Sequence, residues 1–323
     1  MNAWLWMMAA GSAALFFLYG LRCARAERLP ALRSRAWWTA LLSFALSAVF
    51  GTVLARVGYA LLMQELDFEY EGIGALAQLL EFDYDRVSFF CGAAGVCLGV
   101  LLANRLTRKS TVIAGMDAFA PFGALLVALF RMGEICFGSY GAGRKLEDST
   151  LAFFPFAVKI TGAGGKEYWM WAVFVLSAVF ALIWAAAAFF RLRSRNRPGY
   201  SFTMTLFFLA LTQILCESLR NRGMYWLFVH VEQLLCAVVL LGIMLFWLLT
   251  SGRKLPFLKR WWPLGVLLLC IGLLVAVEFA IGGKLVDLHL SVCYLIMCVI
   301  LIALSLAGAA AAKRWNKAGP CAE

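Results

Sequence analysis

The stretch DAFAPFGALLVALFRMGEICFGSYG, from Asp117 to Gly141, sets the character of this chain. It begins as an apolar segment long enough to enter a membrane, and it places Arg131 and Glu134 at its far end. Glycines follow where these charges sit. A guanidinium near hydrocarbon is costly, so a chain that keeps one there usually supplies an anionic partner or ligand for it.

The composition indicates that the whole chain, and not only this stretch, belongs in a membrane. Of 323 residues, 63% are hydrophobic and only 15% are charged, with a mean hydropathy of +0.84. Soluble domains are nearer half apolar and a quarter charged. The sequence therefore predicts an all-α polytopic integral membrane protein.

Charge and cysteine usage exclude two other classes of function. The net charge of +11 comes from Lys and Arg in short loops between apolar runs, which is typical of membrane topology and not of nucleic-acid binding. Most of the ten cysteines stand singly within apolar runs, without the spacing of a metal site. We expect small buried thiols and not a disulfide or a zinc site.

A membrane span needs about 20 apolar residues, and the sequence predicts about nine of them. The first run has no basic segment before it and no clear cleavage site after it, so we expect a retained span and not a signal peptide. The spans are predicted near 4–21, 37–63, 88–103, 111–130, 168–190, 200–217, 225–250, 262–281 and 288–312.

The loops between these spans alternate in charge. The segment 64–87 is acidic, whereas basic residues cluster in the segments 22–36, 104–110, 191–199, 251–261 and 313–317. Because Lys and Arg concentrate in cytoplasmic loops, we predict that the N-terminus lies outside and the C-terminus in the cytoplasm.

This topology places several polar residues of different spans at one depth, in the outer half of the bilayer. Ionisable groups that face the interior of a helix bundle indicate a functional site. A guanidinium binds two phosphate oxygens at once, so the ligand expected in this leaflet is the headgroup of an anionic phospholipid. The residues are Arg56, Arg131, Glu134, Glu217, Arg220, His230, Glu232 and Gln233.

Purely structural explanations also exist for these charges. Arg220 could be a flanking arginine whose side chain reaches the headgroups. Arg56 could form a buried pair with Glu217 or Glu232 that holds helices together. His230 could be an ordinary interfacial histidine.

Several motifs, in order and at the right spacing, resemble the bacterial prolipoprotein diacylglyceryl transferase family over roughly residues 37–250. The segment Arg56-Val57-Gly58-Tyr59 resembles the family's Arg-x-Gly-Tyr, and Ser88 to Val96 resembles a Ser-Phe-His-Gly-Gly-x-x-Gly-Val segment. The other matching positions are Asp117, Ala120, Pro121, Arg131, Gly133, Gly138, Arg197-Pro198, Glu217-x-x-Arg220 and Glu232-Gln233.

The resemblance implies an activity and a location. Family members move a diacylglyceryl group from phosphatidylglycerol to the lipobox cysteine of a lipoprotein precursor, at the outer face of the bacterial cytoplasmic membrane. It also implies a transferase-like core over residues 1–250, with residues 251–323 adding two spans and a basic tail. Arg56 and Arg131 would hold the lipid phosphate, and Glu217 and Arg220 would shape the same site. Tyr59, Gly133, Gly138, Glu232 and Gln233 would support it. By the same resemblance we expect no metal and no cofactor.

The chain also departs from the family pattern at several positions. The family's histidine falls on Phe90, a later arginine on Gln213, and an asparagine on Glu134. Because Phe90 cannot take a proton, His230 or Glu134 becomes the candidate base. The alternative is a catalytically lapsed member that binds anionic phospholipid. A transporter is disfavoured because the charges gather at one depth instead of lining a path.

Overall fold

The computed structural model describes most of the chain. The described residues are 2–26, 30–63, 86–107, 112–134, 141–146, 149–161, 165–221, 225–226, 229–251, 257–282 and 289–318. Of the predicted site residues, Gly138 lies outside these ranges, as does most of the acidic segment 64–87.

Within the described ranges, nine helices are long and apolar enough to cross a membrane, which confirms the predicted fold class. Each forms because an apolar run in hydrocarbon must satisfy its own backbone hydrogen bonds. The helices are α1 (Asn2–Ala26), α2 (Pro30–Met63), α3 (Phe89–Thr107), α4 (Val112–Gly133), α5 (Val173–Arg191), α6 (Tyr200–Leu219), α7 (Val231–Thr250), α8 (Phe257–Ile281) and α9 (Leu290–Ala318).

Two short strand pairs differ from the predicted spans. Strands β1 (Ala157–Thr161) and β2 (Glu167–Trp171) form an antiparallel hairpin, so the fifth span begins at Val173 and not near residue 168. Strands β3 (Tyr225–Trp226) and β4 (Val229–His230) pair in the same way before α7. Aromatic residues such as Trp169 and Trp171 are favourable in strands as well as in helices. Hydropathy alone therefore placed the predicted starts of the fifth and seventh spans too early in the sequence.

Close packing of α2 against α3 brings together two elements of the site. A Cβ on Gly95 would lie 2.3 Å from the carbonyl oxygen of Phe50, and one on Gly99 would lie 2.5 Å from the amide nitrogen of Ser47. Only glycine permits this approach, as is common between membrane helices. The Ser47 hydroxyl also donates a hydrogen bond to the Val96 carbonyl oxygen, at 3.1 Å.

The start of α6 is fixed by a side chain of α4. Asp117 accepts hydrogen bonds from the amide of Gly199, at 2.6 Å, and from the amide of Phe202, at 2.8 Å. These amides belong to the first turn of α6, where no helical carbonyl can reach them. The contact connects the helix that carries Arg131 to the helix that carries Glu217.

The last two helices share one apolar core with α6 and α7. Its large buried members include Phe207 of α6, Trp247 of α7, Leu267 of α8 and Met297 of α9. Burial of large side chains from four helices makes α8 and α9 part of the packed body of the bundle.

Candidate functional site

Arg131, at the end of α4, is the centre of a buried cluster of charges. Its guanidinium is fully buried and lies over the ring of Phe89, 3.6 Å from the ring centroid. Nη1 donates a hydrogen bond to Glu134 Oε1. Nη2 lies 3.6 Å from Glu217 Oε1 and 3.9 Å from Glu232 Oε2. Three carboxylates from three elements therefore surround one guanidinium.

Arg220, just after α6, belongs to the same cluster and binds the carboxylate oxygen of Glu134 that Arg131 does not bind. Its Nη2 donates to Glu134 Oε2 at 2.6 Å, and its Nε lies 3.3 Å from Glu217 Oε1. Gln213 Nε2 also donates to Glu217 Oε1. Glu134 and Glu217 thus each contact both arginines, and Gln213 contributes a neutral donor to Glu217.

Glu232, in the first turn of α7, connects the cluster to α3. Its Oε1 accepts a hydrogen bond from the Ser88 hydroxyl and one from the amide of Phe90, both at 3.3 Å. The Ser88 amide in turn donates to the carbonyl oxygen of Ala55, at 2.9 Å. The start of α3 is therefore held between α2 and the carboxylate of Glu232.

Arg56 lies beside this connection and not within the network of ion pairs. It is buried, with 8% of its surface exposed, and its Nη1 donates to the carbonyl oxygen of Arg86 at 2.9 Å. Among the described residues, no carboxylate lies within ion-pair distance of its guanidinium. Arg56 forms neither of the ion pairs considered from the sequence, with Glu217 or with Glu232. The structure therefore does not support a buried ion pair as the explanation for Arg56.

The remaining predicted residues lie around the cluster. Tyr59 of α2 packs against Val231, the residue before Glu232. Gly133 is buried in the last turn of α4. His230 is buried immediately before α7. Gln233 Nε2 donates to the carbonyl oxygen of Ile214, at 3.1 Å, and to Glu278 Oε1, at 2.7 Å.

Gly141, the last residue of the stretch Asp117 to Gly141, begins a described segment, residues 141–146, that starts beside the cluster. The Asn221 amide donates to the carbonyl oxygen of Ala142, and the Phe174 amide donates to that of Gly141. A Cβ on Gly141 would lie 2.7 Å from both Cβ and Oε2 of Glu134. Glycine at this position therefore lets the backbone cover the Glu134 carboxylate directly.

The charges shift the pKa of groups at the ends of the spans. Although burial acts to raise the pKa of Glu134, the Arg131 and Arg220 guanidinium groups lower it below its ordinary value. Burial lowers the pKa of His230 from 6.5 to about 4. Burial also opposes the charge of Arg220, but Glu134 and Glu217 raise its pKa above the ordinary value. Glu134 is therefore an anion, and His230 a neutral imidazole, near pH 7.

One described cavity lies at the hairpin, apart from the charged cluster. A cavity of about 480 Å³ runs along β1 and is lined by Phe154, residues 157–161, Trp169 and Phe174, none of which belongs to the charged cluster. Among the described residues, no group of three or more His, Cys, Asp or Glu side chains is placed to hold a metal ion.

Three residues that contact the site were not predicted as site residues from the sequence. Ser88 and Phe89 were seen only as part of a motif, yet they contact Glu232 and Arg131. Glu278 was read as part of an apolar span, although an acidic residue within such a run is itself a signal of a buried polar contact.

Comparison with known proteins identifies one matching family. The prolipoprotein diacylglyceryl transferase family matches residues 3–249, about three quarters of the chain. No individual curated protein matches. The matched residues include all members of the charged cluster, whereas α8 and α9 lie beyond them. This multi-pass membrane chain therefore belongs to the prolipoprotein diacylglyceryl transferase family.

Proposed function

We propose that the protein transfers a diacylglyceryl group from an anionic phospholipid, phosphatidylglycerol, to the cysteine thiol of a lipoprotein precursor. The observation that carries the proposal, beside family membership, is the state of Arg131. Its guanidinium is fully buried, yet Nε and Nη2 make no hydrogen bond among the described residues. A buried guanidinium with unused donors is suited to bind phosphate oxygens.

Arg56 supplies the second cation of the proposed phosphate site. The described cluster of two arginines and three glutamates is short of one positive charge, so Arg131 and Arg220 alone would not favour an anion. Arg56 adds that charge from α2, beside Ser88. A single lipid phosphate that contacts both Arg56 and Arg131 would meet fixed donors from two helices.

The reaction proposed is a displacement at the glyceryl carbon. The sulfur of the acceptor cysteine forms a bond to this carbon while the bond from the carbon to the phosphate oxygen breaks. Glycerol phosphate leaves with the electron pair, and the thiol proton passes to a base. Cations balance the charge on the leaving phosphate and favour the thiolate over the neutral thiol.

The two candidate bases have different surroundings. Glu134 binds both Arg131 and Arg220, and these contacts stabilise its anionic form. His230 is a neutral imidazole near pH 7, because its pKa is lowered to about 4. A pKa of about 4 makes His230 a weak base, so the acceptor thiol would need a pKa that the nearby cations already lower. We assign proton acceptance to His230 because its imidazole is uncharged, and charge balance to Glu134, with Glu217 and Glu232 shaping the site.

The proposed location follows from the loop charges. Basic loops on one side predict that the ends of α2, α4 and α6 that carry the site face the outside. The donor lipid would then come from the outer leaflet of the bacterial cytoplasmic membrane. An acceptor peptide would approach from the same side.

The direct test is transfer to a lipobox peptide. Purified full-length protein is incubated with phosphatidylglycerol vesicles and a peptide that contains the lipobox cysteine, and the diacylglyceryl thioether is detected by mass spectrometry. We expect product with the wild type and a loss of about 100-fold or more with Arg56→Gln, since fixed phosphate ligands typically contribute that much. Absence of product under conditions in which another family member reacts would exclude the transferase.

Arg193→Gln provides the matched control. Arg193 is exposed, just after α5, and its guanidinium lies 5.7 Å from the Phe190 ring. Its removal changes the net charge as Arg56→Gln does, but it leaves the site unchanged. We expect wild-type product yield; an equal loss in both variants would show an effect of net charge and not of phosphate binding.

The second candidate function is lipid binding without transfer. It is favoured by Phe90 and Gln213, which replace the family's histidine and arginine. This function predicts saturable binding of phosphatidylglycerol that weakens in Arg56→Gln, with no thioether in any variant. Product formation by the wild type would exclude it.

A further inference from the structure

Helices α8 and α9 lie beyond the residues that match the family, yet both make polar contacts with the elements of the candidate site. Glu278 Oε1 on α8 accepts a hydrogen bond from Gln233 Nε2, at 2.7 Å. The Tyr294 hydroxyl on α9 donates to the carbonyl oxygen of Ser218, at 3.1 Å. Both contacts reach the ends of α6 and α7 that carry Glu217 and Glu232.

Glu278 is unusual for its position in the chain. It is the one acidic residue of the span Arg260–Ile281, whose mean hydropathy is 2.7. Glu278 lies in the last turn of this span, and acidic residues within apolar spans are usually kept for a polar partner. Its partner here is Gln233, one residue after Glu232.

Gln233 is held in one orientation by two acceptors. Its side chain is buried, and its Nε2 donates both to Glu278 and to the carbonyl oxygen of Ile214 on α6. A flipped amide would place its oxygen against both acceptors, which is unfavourable. Glu278 therefore fixes the amide that connects the first turn of α7 to the last turns of α6.

Tyr294 acts on the end of α6 in the same region. Carbonyl groups in the last turn of a helix have no partner within the helix. The Tyr294 hydroxyl satisfies the carbonyl of Ser218, which lies between Glu217 and Arg220 in the sequence. Helix α9 therefore stabilises the turn from which two members of the charged cluster project.

We propose that Glu278 is a positioning residue of the charged cluster, so that α8 completes the candidate site. Through Gln233 it holds α7 against α6, and this arrangement lets Glu217 and Glu232 both lie within 4 Å of Arg131, at 3.6 and 3.9 Å. The inference rests on the proposed function, because it adds a residue to that same site.

The first test compares two substitutions of Glu278 in the full-length protein. Glu278→Ala removes the acceptor, whereas the carbonyl oxygen of Glu278→Gln can still accept from Gln233. We expect Ala to lower kcat about tenfold or more with KM for phosphatidylglycerol little changed, and Gln to restore kcat to within about threefold of the wild type, because misplaced groups slow the chemical step. Wild-type kcat in Glu278→Ala, or equal losses in both variants, would overturn the proposal.

Glu167→Ala is the matched control for loss of a carboxylate. Glu167 lies on β2 and pairs with Lys159, and both side chains are about half exposed. An exposed pair contributes little to stability, so kcat should equal that of the wild type. A loss as large as that of Glu278→Ala would refute a specific effect at the site.

A second measurement does not depend on product formation. Hydrogen–deuterium exchange followed by mass spectrometry reports the opening of peptides that cover residues 214–221 and 229–236. We expect faster exchange there in Glu278→Ala, unchanged exchange in α1 to α4, and restoration in Glu278→Gln. Unchanged exchange at 214–236, or faster exchange throughout, would overturn the positioning role. If the wild type forms no product, the proposed function fails while this measurement still decides the role of Glu278.

Discussion

Glu134 Oε2 accepts a hydrogen bond from Arg220 Nη2 at 2.6 Å, across 86 positions of sequence. The other oxygen of the same carboxylate binds Arg131. Glu134 is therefore an anion shared between two buried guanidinium groups. The carboxylate thus neutralises charge in the cluster, and removal of its charge should have a large effect.

We expect Glu134→Gln to destabilise the protein by about 2–3 kcal/mol, the usual cost of a buried hydrogen bond to a charged group. Glu217 stays within 3.6 Å of both arginines and limits the loss. Thermal unfolding in detergent measures the effect, and Glu167→Gln on the exposed hairpin is the control. Equal Tm values for the two variants would contradict the importance of the Glu134 contacts.

The pH dependence of stability should contain a contribution from His230. Its pKa is lowered by burial from 6.5 to about 4, so the unfolded chain binds this proton more readily than the folded protein does. The contribution of His230 to the free energy of unfolding is therefore fully present above pH 6.5. It falls by about 3 kcal/mol as the pH is lowered from 6.5 to 4.

His230→Gln should remove this part of the pH dependence. The chain has one other histidine, His289, which is exposed, and His289→Gln is the matched control. The measurement is Tm between pH 4 and 7 for both variants and the wild type. If His230→Gln retains the wild-type slope, His230 is not buried as a neutral imidazole.

Gly141→Ala should disturb the cluster without altering any of its charges. The new Cβ would lie 2.7 Å from Glu134 and 3.1 Å from the Cβ of Phe174, so one of these groups must move. We expect a loss of about 1–3 kcal/mol, typical of overpacking. Gly242→Ala on α7, where no atom lies within 4 Å, should cost nothing and could stabilise the helix slightly. Similar Tm changes in both would argue against close packing at Gly141.

Asp117→Ala should weaken the fold while the transfer chemistry of folded molecules is retained. It leaves the amides of Gly199 and Phe202 without their acceptor, at a cost of about 1–2 kcal/mol. Asp117→Asn should lose less, because its amide keeps one acceptor oxygen. Tm and product yield per folded molecule are the measurements; reduced yield at unchanged Tm would instead assign Asp117 a role in the reaction.

The sequence by itself determined that this is a membrane protein with about nine spans, and the described residues contain nine such helices. A run of about 20 apolar residues becomes a helix in hydrocarbon whatever its neighbours are, because its backbone must satisfy its own hydrogen bonds. The residues of the cluster were also predictable, since ionisable side chains in apolar runs are few. The orientation across the membrane stays a prediction from the loop charges.

Only the tertiary structure decided which charges meet. Whether Glu134 binds Arg220, or Arg56 stays apart from the glutamates, depends on how each helix is rotated and how closely α2 and α3 pack. The contact of Glu278 with Gln233 likewise joins α8 to α7 across 45 positions. Such pairings are long-range, and no local pattern of hydropathy or spacing specifies them, because they arise from the packing of whole helices against one another.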